Sequence, residues 1–376
     1  MHKLGFDAKR LFNNTTGLGN YSRTLLRNLS EYFPEEHYFL FSPKAEEHPH
    51  TLSFSKNPAF SSIFPNTRFK NYWRSYGIIN DLKQNEIDLY HGLSHELPIG
   101  IEKTNIKSVV TIHDLIIKTW PQTFPWIDRK IYDYKFASSC RRADKIIAIS
   151  ESTKNDIINF YKVDPNRIKV IYQTCDERFK IALSKNYIQE ILQKHNLPSN
   201  YLLYVGSIIE RKNLLQLLEA IRQLPKTLSI PLVVIGKGST YYKKVVEFIK
   251  QHRMETQVFF PKNVDTESLT AIYQGAEMLC YPSLYEGFGI PIIESLFSKT
   301  PVVTSNLSSL PEAAGPGAYY ADPNRAADIS EGIQKILTDS NYAQQLKTEG
   351  YAHVQQFNAK TLAKEMMDTY LEVLGL

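Results

Sequence analysis

Glu286-Gly287-Phe288-Gly289-Ile290-Pro291-Ile292-Ile293-Glu294 sets two carboxylates eight positions apart across a glycine-bearing turn that runs into an apolar helix. Gly287 and Gly289 let the backbone approach a ligand with no side chain in the way, and Pro291 suits the first turn of a helix, where its missing N–H costs nothing. This spacing predicts Glu286 on the loop and Glu294 in the first helical turn. Between them, the amides of the helix start and the positive end of its dipole favour an anion, with phosphate the natural occupant. The flanking carboxylates can accept hydrogen bonds from sugar hydroxyls. A surface helix that begins after a turn and carries two acids would give the same nine letters, so the remainder of the chain has to discriminate.

Its 376 residues, 43% hydrophobic and 22% charged, suffice for two cored domains. Strand and helix patterns alternate as in two doubly wound parallel sheets. The first set of strands is read at 3–8, 38–42, 87–91, 108–113, 145–150 and 168–172. The second is read at 201–206, 231–236, 257–260, 278–282, 301–304 and 318–321, with its first helix starting at Asn213. A polar stretch at about 174–200 has a short helical pattern but no strand, and the domain boundary falls within it. The domains are therefore expected at 1–178 and 179–358.

The net charge of +5 fits an anionic substrate or an anionic membrane surface. Acids and bases are interspersed and no helix-turn-helix, zinc-finger or RNA-binding strand pattern occurs, so no nucleic-acid partner is expected. Cys140, Cys175 and Cys280 are scattered, without metal-ligand spacing, and read as small core residues. Met1-His2-Lys3 leads straight into a strand and no apolar run approaches the ~18 residues of a spanning helix, which makes the expected location cytoplasmic.

In open parallel sheets ligands bind beyond the carboxyl ends of the strands. After the first strand comes Gly17-Leu18-Gly19-Asn20-Tyr21, which is not the dinucleotide fingerprint because Ser22 stands where a third glycine would be. The strand at 108–113 ends in His113-Asp114. His91 and His95 have an i, i+4 spacing but no third metal ligand in view, so loop packing is their expected role. The second half opens with Gly206-Ser207-Ile208-Ile209-Glu210-Arg211-Lys212-Asn213, where a guanidinium fork and a point charge sit at a helix entrance, against the dipole, as an anion site would have it. Gly236-Lys237-Gly238 follows the next strand.

With these segments in place, the chain resembles the family 4 glycosyltransferases over almost its whole length, the Glu-x7-Glu core being the specific part. The resemblance implies the GT-B fold, two Rossmann-like domains facing a central cleft, with a C-terminal helix at about 359–376 returning to the first domain. It implies catalytic roles for Glu286 near the transferred sugar, His113 against the donor sugar, and Arg211 and Lys212 on the donor diphosphate. Donor binding is assigned by the same resemblance to Gly17, Gly19, Gly206, Gly236, Gly287, Phe288, Gly289 and Ile290, and to Glu294 at the ribose. Two departures stand out. Lys299 replaces a usual glycine, so the helix from Glu294 is expected to end differently, and Val258-Phe259-Phe260-Pro261-Lys262-Asn263 lacks a common glycine near the base pocket.

No Asp-x-Asp motif occurs, so no metal and no cofactor are expected, and Arg211, Lys212 and helix amides would stabilise the leaving diphosphate. The resemblance also implies retention of configuration, and without a clear nucleophilic carboxylate front-face displacement is expected rather than a glycosyl-enzyme. The pattern of Pro282-Ser283-Leu284-Tyr285-Glu286 and Ser308-Ser309-Leu310-Pro311-Glu312 resembles bacterial mannosyltransferases of surface polysaccharide synthesis, making GDP-mannose the favoured donor and UDP-sugars the alternative. The acceptor is expected to be a saccharide or lipid-linked saccharide, met by aromatic and basic residues at 59–77 and 118–136, including Trp73, Trp120, Trp126, Arg129 and Lys130; the same residues suit peripheral contact with the inner membrane surface. A non-catalytic nucleotide-sugar-binding partner, or an epimerase on similar halves, is the competing class.

Overall fold

The computed structural model describes residues 2–44, 51–238 and 240–376. The chain divides into two compact units, one running to Thr174 and including Phe357–Leu376, the other Cys175–Gln356. The first unit holds β1 (Lys3–Asp7), β2 (His37–Phe41), β3 (Phe60–Ile63), β4 (Leu89–Gly92), β5 (Lys107–Ile112), β6 (Lys145–Ala148) and β7 (Ile168–Val170), in the spatial order β3-β2-β1-β4-β5-β6-β7. The second holds β8 (Leu202–Val205), β9 (Leu232–Ile235), β10 (Val258–Phe259), β11 (Met278–Tyr281), β12 (Val302–Ser305) and β13 (Ala318–Ala321), ordered β10-β9-β8-β11-β12-β13. Every pairing is parallel.

Parallel sheets covered on both faces bury both sides of their strands, which are therefore mostly apolar, and β8, β11 and β12 are buried at every residue. Helix Leu214–Arg222 shows how the cover is made: Leu214, Leu217, Leu218 and Ile221, spaced i, i+3, i+4 and i+7, face the sheet. They join Tyr204, Leu232, Val234 and Cys280 in the second unit's core. In the first unit Tyr90, Val110, Ile112 and Ile146 meet Trp73, Leu82 and Cys140. The C-terminal helix Ala359–Leu374, capped by Asn358 at one end and by Gly375 at φ 82° at the other, packs on helix Gly17–Tyr32. All three cysteines are free and buried. Among the described residues no helix is long and apolar enough to cross a membrane.

Three details depart from the sequence reading. Strand β3 lies within a segment read only as an acceptor loop; its four residues are partly buried at the sheet edge, so it lacks the apolar run that marked its neighbours. Gly17 and Gly19 lie in the first turn of helix Gly17–Tyr32 rather than in a loop before it, because the Asn14 side chain accepts the amides of Thr16 (2.9 Å) and Gly19 (3.1 Å) and starts the helix early. Lys299 does not change how its helix ends. It takes φ 57°, its amide donates to Leu296 O and that of Thr300 to Ser295 O at 2.9 Å, which is the Schellman pattern a glycine would have made.

In each sheet the strand order reverses once, between β1 and β4 and between β8 and β11. Ligands of doubly wound sheets occupy the crevice beyond such a switch point.

Candidate active site

In the second unit, β8 runs into Gly206, whose φ of 149° places the following backbone within reach of the next turn. A Cβ on Gly236 would lie 1.8 Å from the Gly206 carbonyl oxygen, so these two glycines exist to let two strand-end turns touch. A bridge between Ile208 and Gly238 extends that contact. Arg211 and Lys212 sit in the short 3-10 turn Glu210–Lys212, just ahead of the helix rather than in it, and Asn213 at φ 62° reverses the chain. The Asn213 side chain anchors this reversal, its Nδ2 donating to the carbonyls of Pro282 (3.2 Å) and Pro323 (2.7 Å).

That anchorage aims both cations at the loop after β11. Arg211 Nη1 and Lys212 Nζ each stand 2.9 Å from Glu286 Oε1. Ser283 donates to the same oxygen at 2.7 Å and the Tyr281 hydroxyl at 3.0 Å. Lys212 also donates to the Tyr281 hydroxyl and lies 4.7 Å from the centre of its ring, and Arg211 donates to the Tyr285 carbonyl. Burial alone would raise the Glu286 pKa, but Lys212, Arg211 and the Ser283 hydroxyl outweigh it and bring it down to about 2. Burial lowers the Lys212 pKa, and Glu286 opposes that. Glu286 is therefore an anion whose charge is spread over four donors.

The loop around it is held from behind. Ser308, at φ 51°, accepts the Glu286 amide at 3.0 Å, and Ser309, fully buried, directs its hydroxyl at the carbonyls of Glu286 (2.9 Å) and Phe288 (2.7 Å). Gly289 at φ 131° then turns the chain into helix Ile290–Phe297, with Pro291 in the first turn as expected. Glu294 falls in the second turn, not the first, because the helix starts at Ile290. Tyr273 donates to its Oε2 at 2.9 Å, yet burial, with Asp176 adding to it, pushes its pKa up to about 8. The two carboxylates of the opening motif are thus in opposite states near neutral pH.

In the first unit, His113 follows β5 and is buried. Its Nε2 lies 2.8 Å from the Leu93 carbonyl, which can only accept, so Nε2 carries the proton and Nδ1 is the acceptor. Burial, with His95 beside it, lowers the His113 pKa to about 3, which selects the neutral imidazole. Tyr21, on the helix that begins with Gly17 and Gly19, presents its ring edge-on to His113 at 4.6 Å, and its hydroxyl is 3.0 Å from Thr111. Thr111 in turn meets His91 Nε2 at 2.8 Å, and His91 Nδ1 meets Tyr370 of the C-terminal helix at 2.6 Å. His91 is a packing residue, as expected. His95 is more than that: it holds φ 65°, stacks on Phe136 at 4.3 Å and approaches His113 at 5.3 Å.

Gly19 is needed where it is, since a Cβ would lie 1.8 Å from the Asn14 carbonyl; Gly17 faces open space. Trp73, an acceptor candidate, is a core residue with its indole N–H on Asp81 at 2.6 Å, whereas Trp126 is exposed. Tyr281, Ser283, Ser309, Tyr273 and Tyr21 were missed from sequence. The first two stand at or just beyond the end of β11, where the strand-end rule could have found them; the others are brought in by tertiary packing. Among the described residues no cluster of His, Cys, Asp and Glu is arranged to hold a metal ion.

Two doubly wound sheets, with a strand-end cation pair clamped on a glycine-loop carboxylate, define a glycosyltransferase of the GT-B fold. Comparison with known proteins agrees with that class. Residues 15–179 match the model described as Glycosyltransferase Family 4 and residues 188–353 that described as Glycosyl transferases group 1. The chain thus carries, one after the other, the two domains of a family 4-type glycosyltransferase. It is 28% identical over 375 residues to O-antigen chain mannosyltransferase B of Escherichia coli, covering 94% of this chain and 96% of the relative. It is 25% identical over 266 residues to O-antigen chain mannosyltransferase RfbU of Salmonella typhimurium, covering 71% and 69%. The crystal structure of Anabaena Alr3699/HepE in complex with UDP-glucose superposes with a TM-score of 0.76 at 17% identity, over 99% of this chain and 100% of that one.

Proposed function

We propose that this enzyme transfers mannose, with retention of anomeric configuration, from GDP-mannose to a saccharide or lipid-linked saccharide acceptor of surface polysaccharide synthesis. The observation that carries the reading is the convergence of Arg211, Lys212, Ser283 and Tyr281 on one oxygen of Glu286. The two cations stand where a diphosphate leaving from the β8 and β11 strand ends would need them, so no metal is required in the proposal. A carboxylate at a pKa of about 2, already bound by four donors, is a weak nucleophile, which favours front-face displacement over a covalent glycosyl-enzyme. In that route the acceptor oxygen bonds to the anomeric carbon on the face from which the diphosphate departs, the carbon–phosphate oxygen bond breaks, and the departing phosphate oxygen takes the acceptor proton.

Further roles belong to the same proposal. Glu286 orients the sugar hydroxyls and keeps both cations in place; neutral Glu294 offers an O–H as well as an acceptor oxygen to the ribose; His113 Nδ1 accepts from a donor-sugar hydroxyl. Gly206, Gly236, Gly287, Gly289, Phe288 and Ile290 bring backbone to the nucleotide, and Gly17 and Gly19 bring the start of their helix to the phosphates. The mannosyl choice is supported by the two O-antigen mannosyltransferase relatives. The UDP-glucose complex of HepE keeps a UDP-sugar donor as the second reading.

A panel of nucleotide sugars tests both, read by thermal stabilisation and slow donor hydrolysis with and without EDTA. GDP-mannose alone should raise the melting temperature by mass action and be hydrolysed in EDTA. Selective stabilisation by a UDP-sugar would replace the donor, a requirement for metal would replace the leaving-group account, and stabilisation without hydrolysis or transfer would make the chain a binding partner.

A further inference from the structure

Large apolar side chains that face solvent are concentrated on two short segments of the first unit. One includes helix Lys70–Tyr72 and the wide turn Trp73–Gly77, and turns Phe69, Tyr72 and Tyr76 outward. The other is the first half of helix Trp126–Arg142, which exposes Trp126, Ile127, Ile131 and Tyr134. Phe69 is 76% exposed and Trp126 64%, whereas Trp73, a few residues from Phe69, is 5% exposed in the core. Burying such groups would stabilise the fold in proportion to the apolar area removed from water, so leaving several of them together in water marks an interaction surface. Ile127, Ile131 and Tyr134 recur at i, i+4 and i+7 and form one stripe. The Tyr72 and Tyr76 rings stack at 5.2 Å.

A polar network beneath holds the two segments as one surface. Arg74 reaches Asp7 at 2.5 Å and Glu96 at 2.9 Å, and Lys135 reaches the same Glu96 oxygen at 3.1 Å. The Ile99 amide donates to the Ser75 carbonyl at 2.8 Å. These groups wall a small cavity of about 40 Å³, with Tyr134 at its side. Glu96 is thus shared by a cation from each segment, and the exposed rings cannot drift apart without breaking it.

Charge selects the occupant. Arg68, Lys70, Arg129 and Lys130 lie between the apolar groups, and none has an ion-pair partner among the described residues; Lys118 is closed on Asp133 and Lys135 on Glu96. Asp128 is the one acid of these two segments without a partner among the described residues. A second copy would set four like charges against four, which disfavours self-association. Aromatic and branched side chains interleaved with Lys and Arg match the boundary between phosphate headgroups and acyl chains. We propose that this surface docks the enzyme on an anionic lipid bilayer, with Phe69, Trp126, Ile127 and Ile131 at the acyl boundary and the four cations against lipid phosphates.

The test is cosedimentation of the full chain with vesicles of phosphatidylcholine alone or with about 30% phosphatidylglycerol. The chain should pellet with the anionic vesicles and not the neutral ones, come off at high salt, and show a blue-shifted tryptophan emission that Trp126→Phe removes. Phe69→Ser/Ile127→Ser/Ile131→Ser should cut the bound fraction at least about tenfold at an unchanged melting temperature. Should that variant fold poorly, Arg68→Glu/Lys70→Glu/Lys130→Glu, confined to exposed side chains, must give the same loss. Absence of binding, equal binding to neutral vesicles, or binding retained by both variants overturns the proposal. So does a concentration-dependent dimer in sedimentation velocity that the triple Ser variant abolishes, which would give the surface to a second copy.

Discussion

The two sheets share one order over six strands, to which the first adds a seventh at its edge, yet the chemistry beyond the strands differs in kind. Beside the first switch point stand His91, His95 and His113, each held neutral by burial with a pKa near 3, in a net with Tyr21, Thr111 and Tyr370. At the second stand Arg211, Lys212 and Glu286, drawn together on one carboxylate oxygen. A fold supplies positions and not a reaction; the residue types placed there supply it. The neutral side suits recognition of hydroxyls, and the charged side suits a phosphate leaving group.

The sharpest way to break this contrast is Glu286→Ala. It leaves two buried cations facing each other, so a stability loss of about 3–5 kcal/mol in chemical denaturation is expected, together with loss of turnover. A melting curve like wild type would mean that the clamp carries no weight. Lys212→Ala comes next: with the diphosphate short of one cation, kcat should fall by about 10² to 10³, measured as donor hydrolysis.

Glu294 sharpens the comparison within the second unit. Its pKa is raised to about 8 in the folded chain against an ordinary 4.5, so the native state binds the extra proton between those values. Its contribution to stability is fully present below about pH 4.5 and is lost as the pH rises towards 8, with a slope approaching about 1.4 kcal/mol per pH unit. Glu294→Gln should flatten that part of the melting profile. Glu286 has the opposite sign: its contribution is present above pH 4.5 and is lost as the pH falls towards 2. The smallest effect is expected in the first unit, where Tyr21→Phe removes one hydroxyl bond to Thr111 and should cost about 1 kcal/mol. A larger loss in turnover than in stability would show that the neutral net positions His113 as well as packing it.

Much of this was legible in the chain. Strands such as Leu202–Val205 and Leu232–Ile235 declare themselves by being apolar on both faces, and the pair of glycines with Pro291 marked the loop and helix around Glu286. Strand Phe60–Ile63 did not, because an edge strand needs no continuous apolar run. The strand-end rule pointed to Arg211, Lys212, His113 and Glu286, but no local pattern says that the first two close on the last, or that Ser309 ties the loop from a different element. His95 shows the same limit. Its i, i+4 spacing with His91 suits metal ligands, the lack of a third ligand in view left loop packing, and only the folded loop sets it at φ 65° against His113. Lys299 shows that a substituted glycine need not change the backbone it leaves behind.

The central proposal is that the charged cluster of the second unit grips the donor diphosphate and that the neutral His113 of the first serves turnover rather than binding. Calorimetric titration of GDP-mannose into wild type, Lys212→Ala and His113→Ala tests it most directly, with hydrolysis measured on the same samples. The account predicts that Lys212→Ala weakens binding by at least about tenfold, or 1.4 kcal/mol, and that His113→Ala binds within a few-fold of wild type but turns over far more slowly. Binding unaffected by Lys212→Ala and abolished by His113→Ala would contradict it.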